Sequence, residues 1–155
     1  MSLILDGTAG VTFPNSTIQA SAGSVLQVVN ATNTTQYSTS SSSFGSTGIT
    51  ASITPKFSTS KILIFVSAEL YQATASVKPI IGIARNSTVV TGDIGLVYSA
   101  AGGAQSTVGV NYLDSPATTS STSYTVYLRS GTNGTIVYLN PDSTTSVITL
   151  MEIAQ

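Results

Sequence analysis

From residue 24 onward, apolar and polar residues alternate in short runs, and clusters of Ser, Thr, Gly and Asn separate the runs. A period of two is typical of β-strands with one buried face. Apolar residues do not recur at helical spacing, and β-branched residues dominate the runs. The pattern therefore predicts an all-β domain, an antiparallel β-sandwich or barrel. The candidate strands are Val25–Ala31, Ile49–Thr54, Lys61–Tyr71, Pro79–Arg85, Thr88–Gly92, Ile94–Tyr98, Val108–Leu113, Tyr124–Arg129, Thr135–Leu139 and Val147–Ile153.

The strongest of these candidates is Lys61–Tyr71. Leu63 and Phe65 add apolar surface to the face that is otherwise polar, so we expect a central strand that is nearly buried on both sides. Asn133-Gly134 favours a tight hairpin, because both residue types tolerate positive φ, and Asn86-Ser87 is a weaker form of the same signal. These turns predict that successive strands pair in antiparallel fashion. The side of Lys61–Tyr71 that is expected to face the core is formed by Ile62, Ile64, Val66, Ala68 and Leu70.

The first 23 residues have a different pattern. Short apolar clusters are separated by Gly and turn residues, and such clusters cannot form a core alone. We therefore expect residues 1–23 to be an extended arm that docks on another surface, and residues 24–155 to be the β-sandwich domain. The arm residues expected to make that contact are Leu3, Ile4, Leu5, Val11, Phe13 and Pro14.

The composition indicates an assembled protein. The chain has 155 residues, of which 41% are apolar and only 7% charged, with a net charge of −1. An average soluble domain has about a quarter charged residues, whereas here Ser and Thr make up roughly a third of the chain. Low charge with a mean hydropathy of +0.32 favours association. We therefore expect part of the surface to be buried between subunits.

The absence of Cys, His and Trp excludes several kinds of chemistry. Without His and Cys there is no Ser-His-Asp triad, thiolate nucleophile, disulfide or zinc cluster, and no Asp-x-Asp-x-Asp cluster suggests calcium. The five Lys and Arg residues are scattered, so they form no basic stripe for nucleic acid. No apolar run has membrane-spanning length, and the first residues do not resemble a secretory signal. We expect no metal, cofactor, nucleic acid or membrane partner.

The carboxylates are the remaining candidates for catalysis. A glycosidase needs two carboxylates about 5 to 9 Å apart, and Glu69 and Glu152 are the least expected acids because each interrupts an apolar strand. We favour an edge-protecting role or an ion pair with a neighbouring cation, the candidates being Lys61, Lys78 and Arg129. Asx turns explain the other acids, which lie beside Gly, Ser or Pro: Asp6, Asp93, Asp114 and Asp142.

Two further features have alternative interpretations. Segments rich in Ser and Thr at 32–46, 117–123 and 142–146 are either flexible linkers or glycan stalks or, as we favour, polar loops and solvent-facing strand positions. The tyrosines could form a sugar-stacking platform, but core or subunit-interface roles are more common. Tyr124 and Tyr127 are expected on opposite faces of one strand, so they cannot share a platform. The tyrosines are Tyr37, Tyr71, Tyr98, Tyr112, Tyr124, Tyr127 and Tyr138.

The beginning of the chain resembles a known family. It reads Leu3-Ile4-Leu5-Asp6-Gly7-Thr8-Ala9-Gly10-Val11-Thr12-Phe13-Pro14-Asn15-Ser16-Thr17-Ile18-Gln19-Ala20-Ser21-Ala22. This resembles the segment Gly-x-x-Gly-Val-Thr-Phe-Pro-Asp-Gly-Thr-x-Gln-x-Ser-Ala that begins many structural proteins of tailed bacteriophages, including those of cyanobacteria and marine bacteria. Later segments resemble the β-rich head domain of the same family: Gly23-Ser24-Val25-Leu26-Gln27-Val28-Val29, Thr50-Ala51-Ser52-Ile53-Thr54-Pro55, Ser60-Lys61-Ile62-Leu63-Ile64, Tyr112-Leu113-Asp114-Ser115-Pro116 and Ile148-Thr149-Leu150-Met151-Glu152-Ile153-Ala154.

The resemblance implies a non-enzymatic virion protein with a trimeric, jelly-roll-like β-sandwich. A fibre needs length, and this chain has only a short arm before one compact domain, which favours a capsid decoration, or cement, protein. The expected partners are two further copies and the major capsid protein, on the outer surface of a virion assembled from protein made in the host cytoplasm. The alternatives are a tail or neck fibre that binds host surface glycans and a depolymerase. Candidate trimer-interface residues are Tyr112, Tyr127 and Met151.

Overall fold

The computed structural model describes residues 4–6, 10–12, 18–19 and 24–155. In the N-terminal segment three short strands, β1 (Ile4–Asp6), β2 (Gly10–Thr12) and β3 (Ile18–Gln19), pair in antiparallel order as a small sheet. The segment predicted to be an extended arm therefore contains local strand pairing. Among the residues described, no helix is long and apolar enough to cross a membrane.

Residues 24–155 contain eleven strands and one 3-10 turn. They are β4 (Val25–Asn33), β5 (Tyr37–Thr39), β6 (Gly45–Ile53), β7 (Lys61–Gln72), β8 (Pro79–Arg85), β9 (Thr88–Val89), β10 (Gly95–Leu96), β11 (Ala104–Asp114), β12 (Thr122–Ser130), β13 (Val137–Leu139), a 3-10 helix (Pro141–Ser143) and β14 (Ser146–Ile153). Every predicted strand overlaps one of these strands, and β5 was not predicted. It lies within the Ser/Thr-rich segment 32–46, so that segment is partly a strand.

The strands form two antiparallel sheets. In the six-stranded sheet, β14 and β13 pair with successive parts of one edge of β7, and β11 pairs with the other edge. In the same sheet β4 pairs with β14 and β5 with β13, and the five-stranded sheet has the order β10-β8-β12-β6, with β9 also paired to β8. Eight strands pair in a nested series: β4 with β14, β6 with β12, β7 with β11, and β8 with β10. This is the pairing of a folded-over hairpin, and two sheets arranged in this way form a jelly roll. The predicted all-β, jelly-roll-like β-sandwich is confirmed.

The prediction of sequential pairing is wrong for most strands. Asn133-Gly134 does not close a hairpin, because it connects β12 to β13, which belong to different sheets. The weaker signal is the correct one: Asn86 and Ser87, with φ of 46° and 70°, form the two-residue turn between β8 and β9. Two positive φ values give the turn a twist that matches the flanking strands.

The core lies between the two sheets. The side of β7 that was predicted to face the core is at most 3% exposed. It packs against inward residues of the opposite sheet such as Ile49, Tyr124 and Leu128. The other face is open, since Phe65 is 42% exposed, so the expected burial of β7 on both sides is wrong. The strand that is buried on both sides is β8. The ring of Phe44 and the carbonyl of Gly92 lie against the outward side of Gly82.

Candidate functional site: the outer face of the six-stranded sheet

The outer face of the six-stranded sheet carries an apolar surface. Phe65 is 42%, Leu113 49% and Val28 55% exposed, and these are large fractions for apolar side chains. Leu63 and Met151, which lie between them, are partly exposed. We call this surface the apolar face and define it by Val28, Leu63, Phe65, Leu113 and Met151.

Strand register brings these residues together. Leu113 pairs with Leu63, Leu63 with Met151, and Met151 with Val28, so a row of four apolar side chains crosses strands β11, β7, β14 and β4. Paired residues in neighbouring strands point to the same side of a sheet. Phe65 belongs to the next outward row of β7. The apolar face is therefore contiguous although its members are far apart in sequence.

A hollow adjoins Phe65 on this face. Its volume is about 290 Å³, and it exists because Gly109 of β11 has no side chain; a Cβ there would meet no atom within 4 Å. The hollow is lined by Phe65, Val66, Ser67, Gly109, Val110, Asn111, Val147 and Thr149. An apolar surface with a concavity can receive a protruding side chain of a partner.

The candidate trimer-interface residues occupy three different environments. Met151 belongs to the apolar face, Tyr127 is partly exposed on β12 of the five-stranded sheet, and Tyr112 packs against the core. A cyclic trimer joins two different patches of each copy, so Met151 and Tyr127 can belong to opposite sides of one interface. Their role stays a prediction.

Only part of the predicted anchoring set lies among the described residues. Ile4 and Leu5 are in β1 and Val11 is in β2, where Leu5 pairs with Val11. Leu3, Phe13 and Pro14 lie outside the described residues. The docking role of all six stays a prediction.

Glu69 and Glu152 do not form a two-carboxylate site. Glu152 pairs with Ile62 and is fully buried, whereas Glu69 is seven positions further along β7 and faces the opposite side of the sheet. At about 3.4 Å per residue they are separated by far more than the distance a glycosidase requires. Glu69 accepts a hydrogen bond from Thr107. The predicted ion pairs with lysine or arginine are also not observed among the described residues.

Glu152 instead closes a loop. One carboxylate oxygen accepts a 2.6 Å hydrogen bond from Gln27 Nε2, and the other accepts a 2.7 Å bond from the backbone amide of Lys56. Burial alone would raise the pKa of Glu152, but these hydrogen bonds outweigh it and hold the pKa below the usual value of a glutamate. The carboxylate therefore remains ionised and joins the β6–β7 loop to β14.

Two arginines pair with aspartates. Arg85 binds Asp114 through Nη1 at 2.8 and 3.0 Å, and Arg129 binds Asp93. The hydrogen bond that each arginine donates to its aspartate raises the pKa of that arginine. Asp93 and Asp114, predicted to form Asx turns, thus serve as ion-pair partners. No cluster of three or more acidic residues that could hold a metal ion occurs among the described residues.

Two tyrosines do meet on the outer face, away from the apolar face. Tyr71 of β7 and Tyr138 of β13 are register partners, with ring centroids 5.7 Å apart. Tyr124 is fully buried and Tyr127 partly exposed, which confirms that they cannot share a platform. The sequence identifies both tyrosines as candidates but does not show that they meet. Tyr71 and Tyr138 are 67 positions apart, and no local pattern encodes the register between β7 and β13.

The comparisons with known proteins identify a distant likeness. No family model and no curated protein matches the chain. A solved structure of the D431N mutant VP2 protein of infectious bursal disease virus, in derived T=1 particles, matches with 11% identity and a TM-score of 0.47, over 98% of this chain and 46% of that chain. A structure of the Gx strain of the same virus matches with 10% identity and a TM-score of 0.41, over 84% and 38%. The chain thus spans less than half of either solved chain.

Proposed function

We propose that this chain is a non-enzymatic structural protein of a tailed-phage virion, a trimeric decoration protein that docks on the major capsid protein. The apolar face is the observation that carries this proposal. A contiguous apolar row on an open sheet is unfavourable in water, and a partner that covers it removes this cost. The sequence resemblance of the N-terminal segment to phage structural proteins supports a virion setting.

In this proposal each copy covers the apolar face of its neighbour. Between Lys61 and Glu69 the outward residues of β7 are Leu63, Phe65 and Ser67, so no charge must be desolvated along that stretch when a second copy packs against it. Burial contributes about 25 cal/mol per Å² of apolar area. The hollow beside Phe65 provides the shape that a protruding side chain needs.

The N-terminal segment supplies the attachment to the shell. Its apolar residues Leu3, Ile4, Leu5, Val11, Phe13 and Pro14 would bind the capsid protein, and a trimer presents three such segments at once. Linked contacts act at a high effective concentration, so that avidity exceeds the affinity of one contact by about 10²–10⁴-fold. Modest single contacts would therefore keep the protein on the particle and brace adjacent shell subunits.

Sedimentation velocity of the purified full chain tests the assembly. We expect a trimer for the natural sequence and a smaller species for Phe65→Ser. The matched control is Phe57→Ser, because Phe57 is also exposed, at 54%, but lies outside the apolar face. A monodisperse monomer of the natural sequence, or equal dissociation by both variants, would contradict the proposal.

Copy number in purified virions of the encoding phage tests the decoration role. A decoration protein should be present in hundreds of copies, and heads that lack it should release DNA at a lower temperature. A few copies located at the tail or neck would instead support the fibre alternative. Equal heat resistance of heads with and without the protein would exclude a cementing role.

A further inference from the structure

A second hollow lies on the outer face of the six-stranded sheet, at the end remote from the apolar face. Its volume is about 300 Å³, at the lower limit of ligand pockets, which span about 300–1,000 Å³. We call it the tyrosine hollow. It is lined by Gln36, Tyr71, Gln105, Tyr138, Pro141 and Asp142.

The tyrosine pair gives the hollow an apolar wall. Tyr138 pairs with Tyr71, and Tyr71 pairs with Gln105 on its other side, so one row of β13, β7 and β11 supplies three of the lining residues. The two rings are tilted by 40° with centroids 5.7 Å apart, and both are only partly buried. Two adjacent rings therefore present apolar surface to whatever enters.

Polar groups surround this wall. Gln36, Gln105 and Asp142 are exposed, and their side chains make no hydrogen bond to any other residue that the structure describes. Two amides and one carboxylate provide both donors and acceptors. The hollow thus combines an aromatic wall with unengaged groups suited to binding hydroxyls.

The loop that carries Asp142 is held in an unusual conformation. Asn140, Asp142 and Ser143 have φ of 51°, 55° and 58°, a region in which residues other than Gly are uncommon. Asn140 is fully buried and fixes the loop, since its Nδ2 donates to the carbonyl of Asn33 at 2.8 Å. Backbone strain of this kind persists where surrounding contacts enforce it and is concentrated at functional sites.

We propose that the tyrosine hollow binds a neutral sugar residue of a glycan. A pyranose has apolar C–H faces, which pack on aromatic rings, and a rim of hydroxyls, which bond to amides and carboxylates. The carboxylate of Asp142 accepts hydrogen bonds from hydroxyls but repels an acidic sugar, so the expected ligand is uncharged. The hollow is separate from the apolar face, and the two proposals can fail independently.

An NMR titration of the isotope-labelled full chain tests the proposal. The probes are glucose, galactose, mannose, rhamnose, N-acetylglucosamine and, as the acidic comparison, glucuronic acid. We expect saturable shift changes at the amides of Tyr71, Gln105 and residues 140–143 with at least one neutral sugar, with Kd on the order of 1 mM. No saturable change with any probe, or changes confined to other regions, would overturn the proposal.

Variants then test the assigned residues. Tyr138→Ala should weaken binding by about tenfold, and Gln105→Ala, a change on an exposed strand position, should weaken it several-fold without affecting the fold. Tyr98→Ala is the matched control, because Tyr98 is 54% exposed and does not line the hollow. Asp142→Asn should reduce the preference for the bound neutral sugar over glucuronic acid. Unchanged affinity in both Tyr138→Ala and Gln105→Ala would overturn the assignment.

Discussion

The hydroxyl of Tyr124 donates a 2.6 Å hydrogen bond to Oδ2 of Asp114, and the two residues belong to different sheets. Tyr124 is in β12 of the five-stranded sheet, and Asp114 is the last residue of β11 in the six-stranded sheet. Arg85 of β8 also binds Asp114, at 2.8 Å. A polar cluster therefore joins the two sheets at one end of the sandwich, where apolar packing alone would leave the carboxylate without partners.

Tyr124→Phe should destabilise the fold. The change removes a hydrogen bond to a charged group in a buried position, and such bonds contribute about 1.5–3 kcal/mol. Urea denaturation should show that decrease, whereas Tyr127→Phe, at a partly exposed position of the same strand, should change stability by less than about 0.5 kcal/mol. Equal effects of the two variants would show that the Tyr124–Asp114 bond does not stabilise the sandwich.

Tyr124 should also make the stability of the fold depend on pH in the alkaline range. Burial, and then the hydrogen bond to Asp114, raise the pKa of Tyr124 above its usual value. The unfolded chain ionises this group near its ordinary pKa of about 10, whereas the folded chain keeps it protonated. Stability should therefore fall as pH rises above about 10, and Tyr124→Phe should lessen the fall measured by urea denaturation at several pH values. An identical pH profile for the variant would contradict this assignment.

Glu152→Gln should weaken the closure of the β6–β7 loop. The substitution places an amide donor opposite Gln27 Nε2 or the amide of Lys56, both of which donate to Glu152 in the natural protein. Leaving a buried donor unsatisfied costs about 1–3 kcal/mol. Glu69→Gln is the control, since Glu69 is only partly buried. Thermal unfolding at neutral pH should show the larger loss for Glu152→Gln.

Low pH should remove the stabilisation that ionised Glu152 contributes to the natural protein. Because the pKa of Glu152 is lower in the folded chain than its reference value of 4.5, this contribution is complete above that value and is lost as pH falls through the folded pKa. Glu152→Gln should consequently show a shallower loss of stability below about pH 4.5. Parallel acid profiles of the two proteins would argue against an ionised Glu152 in the fold.

Gln72→Leu should release the loop after β10. Gln72 is fully buried; its Nε2 donates to the carbonyl of Ser99 at 2.6 Å, and its Oε1 accepts from the amide of Ser99 at 2.7 Å. Leucine leaves the amide of Ser99 unpaired, at about 1–3 kcal/mol, and the carbonyl of Ser99 keeps only the bond from the amide of Ser76. Hydrogen exchange of the Ser99 amide should accelerate in this variant and remain slow in Gln105→Leu, a change at an exposed position.

Two glycines should respond differently to alanine. A Cβ at Gly82 would lie 2.6 Å from the carbonyl oxygen of Gly92, whereas one at Gly109 would meet nothing within 4 Å. Overpacking of this kind costs about 1–3 kcal/mol, so Gly82→Ala should lower the unfolding midpoint. Gly109→Ala should leave it unchanged or raise it, because alanine reduces the entropy of the unfolded chain. Similar midpoints for both variants would contradict the packing on the outward side of β8.

Local pattern was sufficient for the strands but not for their partners. The alternation in Lys61–Tyr71 identified the core side of β7, because one sheet face excludes water. It could not show that the outward Phe65 lies open, since that depends on whether another element covers the sheet. In β8 the reverse applies: its outward side is buried by Phe44, which lies 38 positions before Gly82.

The candidate surfaces depend on long-range register. Leu113, Leu63, Met151 and Val28 form one row only because β11, β7, β14 and β4 are neighbours, and turn signals favoured a different pairing. Asn133-Gly134 has the residues of a hairpin turn, yet its flanking strands separate into different sheets. The sequence pattern identifies Glu152 as an unexpected acid in an apolar strand, but its partners Gln27 and Lys56 come from distant segments.

The nested pairing of the jelly roll has a consequence for synthesis on the ribosome. Asn30 of β4 and Thr149 of β14 are joined by a hydrogen bond across 119 positions of sequence. At about 5–20 residues per second, β4 waits roughly 6–24 s for its partner to be made. During that interval its edge is free to pair with other chains. On the outward side of β4, Asn30 and Thr32 hydrate part of the waiting strand until β14 completes the sheet.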